Sequence, residues 1–382
     1  MRIAFDHQAF CLQKTGGISR YFYHLIEQLL TLNQTVTAFA PVHRNQYARG
    51  LARGAVAGCY VKDYPRYCAD AAVSLNGTIA RSRISAWQPD IVHETYFSKI
   101  RSGTKAQPNV LTVFDMISER GLAGVEITAN EFKQSNKFVA VARADHVICI
   151  SEHARQDLIR LYDVAPEKTS TIYLGCEVIA AGNASHSQIV NNDNRPYLLY
   201  VGLRAGYKNF ARFVEAVASS TQLQSSFDIV AFGGGSFSSA EQTLLQALKF
   251  RPDQVRHIEG DDTALARHYV QASALVYPSC YEGFGLPPLE AMAYRCPVVS
   301  SQASALPEII GDAAEFFDPT DLSSIAQAIQ NVVLSPSHAQ ILIEKGLTRV
   351  AQFTWQRCAQ KHLALYQSLG DQSHTALAVA RQ

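Results

Sequence analysis

The sequence predicts an α/β protein of two doubly wound domains, each built on a parallel sheet. Three observations carry this. Short apolar runs alternate with helical segments along the whole chain. The runs are continuously apolar, as in parallel strands covered on both faces. One polar, aperiodic stretch divides the series in two. With 382 residues, 47% of them hydrophobic and 18% charged, the chain has room for two ordinary domains with sizeable cores.

The first series places strands at 2–5, 35–41, 90–93, 110–114, 146–150 and 169–174. Helical patterns at 18–30, 131–143 and 151–162 separate them. The stretch 180–195, rich in Asn and Ser, reads as a linker between a domain at 1–179 and one at 196–354. The second series has strands at 197–201, 227–232, 255–258, 275–278 and 297–300. Its helices fall near 209–219, 240–250, 263–272, 287–294 and 322–334. A last helical pattern starts near Trp355, and the tail after Gly370 is expected to fray.

The formal net charge is +1, which makes no case for nucleic acid as a partner. Residues 1–178 balance to +4 and the remainder to −3, so a mildly basic first half either faces an anionic partner or is scattered surface charge. The start, Met1-Arg-Ile-Ala-Phe-Asp, reads as a strand and not as a signal peptide, and no run of eighteen apolar residues exists. Eight scattered cysteines lack zinc-ligand spacing and read as buried thiols in a reducing cytoplasm.

Open α/β sheets bind ligands beyond the carboxyl ends of their strands, so the loops there are the candidate chemistry. Gly16 and Gly17 follow the first strand and precede a helix, where backbone can approach a ligand closely; an ordinary turn explains them equally well. The loop after 197–201 carries Arg204 and Lys208, two cations able to neutralise a diphosphate or to remain solvated. The loop after 275–278 carries Glu282, then Gly283 and Gly285, then Pro287 and Pro288 in the expected first helical turn. Glu290, seven residues beyond Glu282 by intervening count, is expected in that first turn, where the dipole favours a carboxylate.

Four motifs in order (the early Gly-Gly loop, the loop ending Lys208-Asn209, Glu-x7-Glu, and the Pro297–Ala314 stretch) resemble the retaining family-4 glycosyltransferases of GT-B fold, over most of the chain. The resemblance implies two Rossmann-like domains facing across a cleft, with the C-terminal helix at about 355–370 returning to the first. It implies that Glu282 contacts donor-sugar hydroxyls and Glu290 the ribose. Arg204 and Lys208 would meet the diphosphate. Amides of Phe284, Gly285 and Leu286 would cap phosphate or sugar, Gly283 would let the backbone curl around the donor, and Gly16 and Gly17 would lie against it. His257 is a candidate contact for the base. His93, Asp115 and Arg20 are candidates on the acceptor or sugar side, with buried structural roles equally open for the first two.

The family's usual Arg-Lys pair is here Tyr207-Lys208, so Arg204 is expected to supply the missing charge. No Asp-x-Asp stands at a strand end, and Asp261-Asp262 reads as a helix cap. Chemistry without a metal or other cofactor is therefore expected, and the resemblance implies retained anomeric configuration through front-face attack. The combination of Gly-Gly-Ile-Ser-Arg-Tyr at 16–21 and Gly-Tyr-Lys-Asn at 206–209 resembles bacterial mannosyltransferases of polysaccharide and O-antigen assembly. GDP-mannose is the preferred donor and UDP-glucose the second choice. The acceptor would be a saccharide or lipid-linked saccharide, reached from the cytoplasm with possible peripheral contact at the inner membrane face. A nucleotide-sugar epimerase or a non-catalytic binding protein of the same fold are the alternatives.

Overall fold

The computed structural model describes residues 1–62, 69–122, 124, 128–176, 195–204 and 206–379. Contacts divide the chain into two units. One comprises Met1–Phe114, Ile127–Gly175 and Trp355–Gln382; the other comprises Asp115–Glu126 and Cys176–Thr354. The expected linker at 180–195 lies, apart from Arg195, outside the described residues.

The first unit holds β1 (Arg2–Phe5), β2 (Thr35–Ala38), a small parallel ribbon of β3 (Val42–His43) and β4 (Cys59–Tyr60), β5 (Ile91–Glu94), β6 (Asn109–Val113), β7 (His146–Cys149) and β8 (Thr169–Thr171). Its main sheet is wholly parallel in the order β2-β1-β5-β6-β7-β8. Every side chain of β5, β6 and β7 is buried, as continuous apolar runs require of strands covered on both faces. The helix Gly17–Thr31 buries Tyr21, Phe22, Leu25, Ile26 and Leu29, a stripe at helical spacing.

The second unit holds β9 (Tyr197–Val201), β10 (Asp228–Phe232), β11 (Val255–Ile258), β12 (Ala274–Tyr277), β13 (Val298–Ser301) and β14 (Glu315–Phe317). All pairs are parallel, in the order β11-β10-β9-β12-β13-β14. Counted from β9, this is the 3-2-1-4-5-6 order of a doubly wound fold, and its strand order reverses between β9 and β12. The connections from those two neighbours leave for opposite faces, so a crevice opens between the loops that follow them.

The two parallel α/β sheets agree with the fold class expected from sequence. Several elements differ. The single helix expected at 131–143 is two, Ala129–Gln134 and Asn136–Arg143, because Ser135 turns extended at ψ 150° and caps the second through its hydroxyl. Helices Gln8–Leu12, Ala69–Trp87 and Pro336–Val350 were not anticipated, nor was strand β14. Asp261 does cap its helix, accepting from the Ala264 amide. The last helix, Trp355–Val379, continues past Gly370, where fraying was expected. Cys59 is exposed, against the expectation of uniformly buried thiols.

The last helix belongs to the first unit and is fastened there by a closed polar network. The Tyr21 hydroxyl meets His362 Nε2 at 2.7 Å, and the Tyr366 hydroxyl meets His93 Nδ1 at 2.6 Å. Thr112 Oγ1 joins the two halves, 2.8 Å from His93 Nε2 and 3.3 Å from the Tyr21 oxygen. Trp355 stacks on His24, with ring centroids 4.7 Å apart, and lies against Gly175, where any side chain would collide with it.

Candidate functional site

The loops after β9 and β12 meet at the switch point of the second sheet. Lys208 Nζ donates to Glu282 Oε1 at 2.7 Å, and the Tyr277 hydroxyl donates to the same oxygen at 2.8 Å. Both partners are largely shielded, with 17% and 10% of their side chains exposed. Burial first, and the Glu282 carboxylate second, push the Tyr277 phenol well above its ordinary pKa, so it remains a donor.

Local chemistry holds this pair in place. Asn209 adopts φ 61°, a left-handed conformation that Asn tolerates. From there its Nδ2 reaches the carbonyls of Pro278 at 3.1 Å and Pro319 at 2.9 Å. The Cys280 amide donates to the Tyr207 carbonyl at 2.7 Å, and the Tyr200 hydroxyl holds the carbonyls of Leu203 and Lys208. The Glu282 amide donates to Ser304 Oγ at 2.7 Å.

Gly285 opens the helix Leu286–Ala293 with φ 102°, and a Cβ there would come within 2.6 Å of Leu306 Cδ2. Glycine is thus needed both for backbone and for space. Gly283 is not among the residues of positive φ, so the turn needs only one glycine for conformation. Pro287 and Pro288 carry no N–H, which leaves Leu286 and the preceding loop to supply the amides at this helix start. Glu290 is the fifth residue of the helix and lies beyond the first turn in which it was expected. Its carboxylate accepts from the Tyr269 hydroxyl at 3.1 Å, and it is buried.

Arg204 departs from expectation. Its Nε donates to Glu241 Oε1 at 2.7 Å, Nη1 to the Gly233 carbonyl at 2.8 Å, and Nη2 to the carbonyls of Gly235 at 2.7 Å and Ser236 at 3.0 Å. Only 3% of its side chain is exposed, and its guanidinium lies 4.7 Å from the Phe237 ring centroid. Gly233, Gly234 and Gly235 all take positive φ, which lets three consecutive residues curl around the guanidinium. Burial alone would raise the Glu241 carboxyl, but bonds from Ser238 and Arg204 outweigh it and hold the pKa below its ordinary value. Arg204 braces the β10 loop; it does not face the crevice with open donors, because carbonyls of that loop have taken them.

The remaining candidates divide by unit. In the second, His257 sits on edge strand β11, 3.7 Å from Glu259 and beside Phe237. Asp115 is half-buried and accepts from the Ile117 amide at 3.1 Å. In the first, Gly16 is extended at φ 167° and caps the helix Gly17–Thr31, whose Ser19 amide is already taken by Gln13 Oε1 at 3.0 Å. Arg20 is half-buried on that helix. His93 is fully buried in the Tyr21–Tyr366 network and has no route to a ligand there; desolvation, then the neighbouring His362, keep it neutral. Among the described residues no three His, Cys, Asp or Glu side chains converge as metal ligands.

The structure therefore brings Lys208 to Glu282, with Gly283, Phe284, Gly285 and Leu286 following on the same turn and Glu290 on the helix it opens, whereas Arg204 is taken up by the β10 loop. Tyr277, Tyr269, Asn209 and Ser304 were not anticipated from sequence. The Lys208-Asn209 dipeptide before a helix was a signal for one of them.

Two family models match, Glycosyltransferase Family 4 over residues 15–178 and Glycosyl transferases group 1 over residues 183–349. The O-antigen chain mannosyltransferase B of Escherichia coli is 28% identical over 58% of this chain and 60% of its own length. The O-antigen chain mannosyltransferase RfbU of Salmonella typhimurium is 29% identical over 52% and 54%. The matches thus span a little over half the length of these curated relatives. Among solved structures, sucrose-phosphate synthase from Thermosynechococcus elongatus aligns with a TM-score of 0.73 at 20% identity, covering 96% of this chain and 98% of that one. WaaG, a glycosyltransferase involved in lipopolysaccharide biosynthesis, aligns with a TM-score of 0.68 at 16% identity, covering 95% and 99%.

Proposed function

Because the chain belongs to the glycosyltransferases, its two halves matching Family 4 and group 1 in turn, we propose that it transfers a hexose from a nucleotide diphosphate to a saccharide acceptor in polysaccharide or O-antigen synthesis. The observation that carries this is the Lys208–Glu282 pair at the switch-point crevice, beside the helix start opened by Gly285. Such a crevice is where doubly wound sheets hold nucleotides.

In this reading Glu282 Oε2 accepts hydroxyls of the donor sugar, and Glu290 accepts from the ribose. Lys208 turns its remaining protons to the diphosphate, joined by the Leu286 amide. A donor aimed at charge that develops in the transition state contributes on the order of 3 kcal/mol. The bond from the anomeric carbon to the phosphate oxygen breaks. The acceptor oxygen bonds to that carbon on the same face, and its proton passes to the departing phosphate, so configuration is retained. No resident cofactor is invoked.

Mannose from GDP-mannose is the preferred donor; the names of the two O-antigen relatives support mannose and are silent on the nucleotide. We further propose a lipid-linked acceptor met at the inner membrane face. No helix among the described residues is long and apolar enough to cross a membrane. Residues 1–89, however, hold ten Lys or Arg against four Asp or Glu. Arg49, Arg53, Lys62 and Arg83 are exposed, as are Leu12, Val61 and Leu75. They share one region, because Arg44 Nη2 reaches the Leu12 carbonyl, β3 pairs with β4, and the Val42 amide meets Asn76 Oδ1.

The test is a thermal-shift panel followed by turnover. GDP-mannose is expected to raise the melting temperature, since it binds only the folded form. Glu282→Gln is expected to keep that shift and lose turnover by on the order of 10²-fold. Selective stabilisation by UDP-glucose would replace the donor. Nucleotide release without a saccharide acceptor would indicate an epimerase or hydrolase. Donor binding with no turnover in the unaltered protein would indicate a binding protein.

A further inference from the structure

Lys208 has two uses for one charge. It is paired with Glu282 at 2.7 Å, and in the proposed reaction it turns towards a diphosphate. Its ammonium lies 5.2 Å from the ring centroid of Tyr207 and 6.0 Å from that of Tyr277. A lysine re-aims easily, because its stem is flexible and its three donors rotate. A carboxylate held by such a partner alone would lose its orientation when the partner moved. Glu282 has a second donor on the same oxygen, the Tyr277 hydroxyl at 2.8 Å.

The two partners differ in freedom. Tyr277 is the last residue of β12, and its side chain is buried. A tyrosine ring turns about only two torsions, and a close-packed core holds both. The Glu282 main chain is fixed as well, through its amide on Ser304 Oγ at 2.7 Å. With the backbone and Oε1 both fixed, Oε2 keeps one direction. The same device recurs at the other glutamate. Tyr269, buried on the helix Asp262–Gln271, donates to Glu290 Oε2 at 3.1 Å. Burial first, and the glutamate charge second, hold both phenols well above their ordinary pKa, so each stays a donor.

We propose that Tyr277 is a positioning residue of the transfer reaction: it holds Glu282 Oε1 while Lys208 turns to the diphosphate, and so keeps Oε2 aimed at the donor sugar. The inference rests on the proposed function. Without the hydroxyl, Oε1 has Lys208 as its donor, and the carboxylate and the diphosphate then compete for one ammonium. That competition is sharpest in the transition state, when charge grows on the departing phosphate, so its effect falls on kcat.

Tyr277→Phe removes the hydroxyl and keeps the ring. With GDP-mannose as donor and octyl α-mannoside as acceptor, it is expected to lower kcat about 10-fold, the lower end for one hydrogen bond to a charged group. GDP affinity by calorimetry is expected to stay within about 2-fold, since a ground-state diphosphate does not depend on the phenol. A double-variant cycle decides between positioning and packing. In the Glu282→Gln background, Tyr277→Phe is expected to change kcat less than about 2-fold, because the carboxylate it serves is gone. Equal losses in both backgrounds overturn the inference and mark a general disturbance of the core. Unchanged kcat in Tyr277→Phe alone also overturns it. Should Tyr277→Phe fail to fold, 3-fluorotyrosine at position 277, a stronger donor of nearly the same shape, takes its place. A change in kcat confined to the protein with Glu282 then supports the inference, and a change shared with Glu282→Gln, or absent from both, overturns it. No transfer by the unaltered protein from GDP-mannose or from UDP-glucose overturns the proposed function instead.

Discussion

His24, His93 and His362 are buried where the charged imidazolium is disfavoured. Burial, then the charge of Arg20, lower His24 to about 4; burial lowers His362 to about 4; and His93 lies well below its ordinary value. In the unfolded chain each returns to about 6.5. The folded state thus resists protonation, so this stability is fully present above about pH 6.5 and is lost as pH falls towards 4. The slope is at most about 1.4 kcal/mol per pH unit for each group. Urea midpoints between pH 4.5 and 8 should fall on the acid side. His24→Phe, which keeps a ring against Trp355 and cannot protonate, should flatten the slope; an unchanged slope refutes the assignment. Legibility at this scale was uneven. Lys208 and Arg204 read alike, as cations in one loop, and sequence alone gave no means to separate them. The separation comes from the carbonyls of Gly233, Gly235 and Ser236, which belong to a different strand's loop. His93 was equally open between ligand contact and burial, and its partner Tyr366 lies 273 residues away.

Elements were more legible than residues. Central strands such as β6, β9 and β10 read as largely apolar runs because parallel strands bury both faces, and that requirement is local, whereas the edge strand β14 escaped it. Helix boundaries failed where a side chain competed with the helix, as Ser135 did in splitting 131–143. The turn before Leu286–Ala293 shows how a local signal can be partly right. Both Gly283 and Gly285 looked conformationally necessary, and only Gly285 takes positive φ. Gly285→Ala should cost about 1–3 kcal/mol, since it meets both a disfavoured φ and the Leu306 side chain. Gly17→Ala, with nothing within 4 Å of the added Cβ, should stay within about 0.5 kcal/mol of the unaltered protein or gain slightly. Equal denaturant midpoints for the two variants would show that the Gly285 turn relaxes without strain.

For the whole molecule, the uneven charge becomes a prediction about location. Vesicles containing anionic lipid should retain the protein at low salt and release it at high salt, and neutral vesicles should not retain it. Each cation near an anionic surface contributes about 1 kcal/mol. Replacing Arg53 and Lys62 by Gln should then weaken vesicle binding about 30-fold. Binding that is indifferent to lipid charge, or absent on anionic vesicles, removes the proposed membrane face. The basic bias was visible in composition, whereas the meeting of Leu12, the β3–β4 ribbon and Asn76 in one region was not.

What the sequence determined by itself was the class of most elements, the two-sheet α/β architecture, and the loops in which Lys208, Glu282 and Gly285 reside. Apolar periodicity and glycine and proline placement are properties of neighbouring residues, so one dimension suffices to read them. Tertiary structure alone decided which charges stay open to a ligand. The order β11-β10-β9-β12-β13-β14 sets two loops more than seventy residues apart side by side, so that Lys208 meets Glu282. The same folding hands Arg204 to a third loop. Ion pairing and desolvation depend on distance in space, and the chain's linear order does not contain that distance.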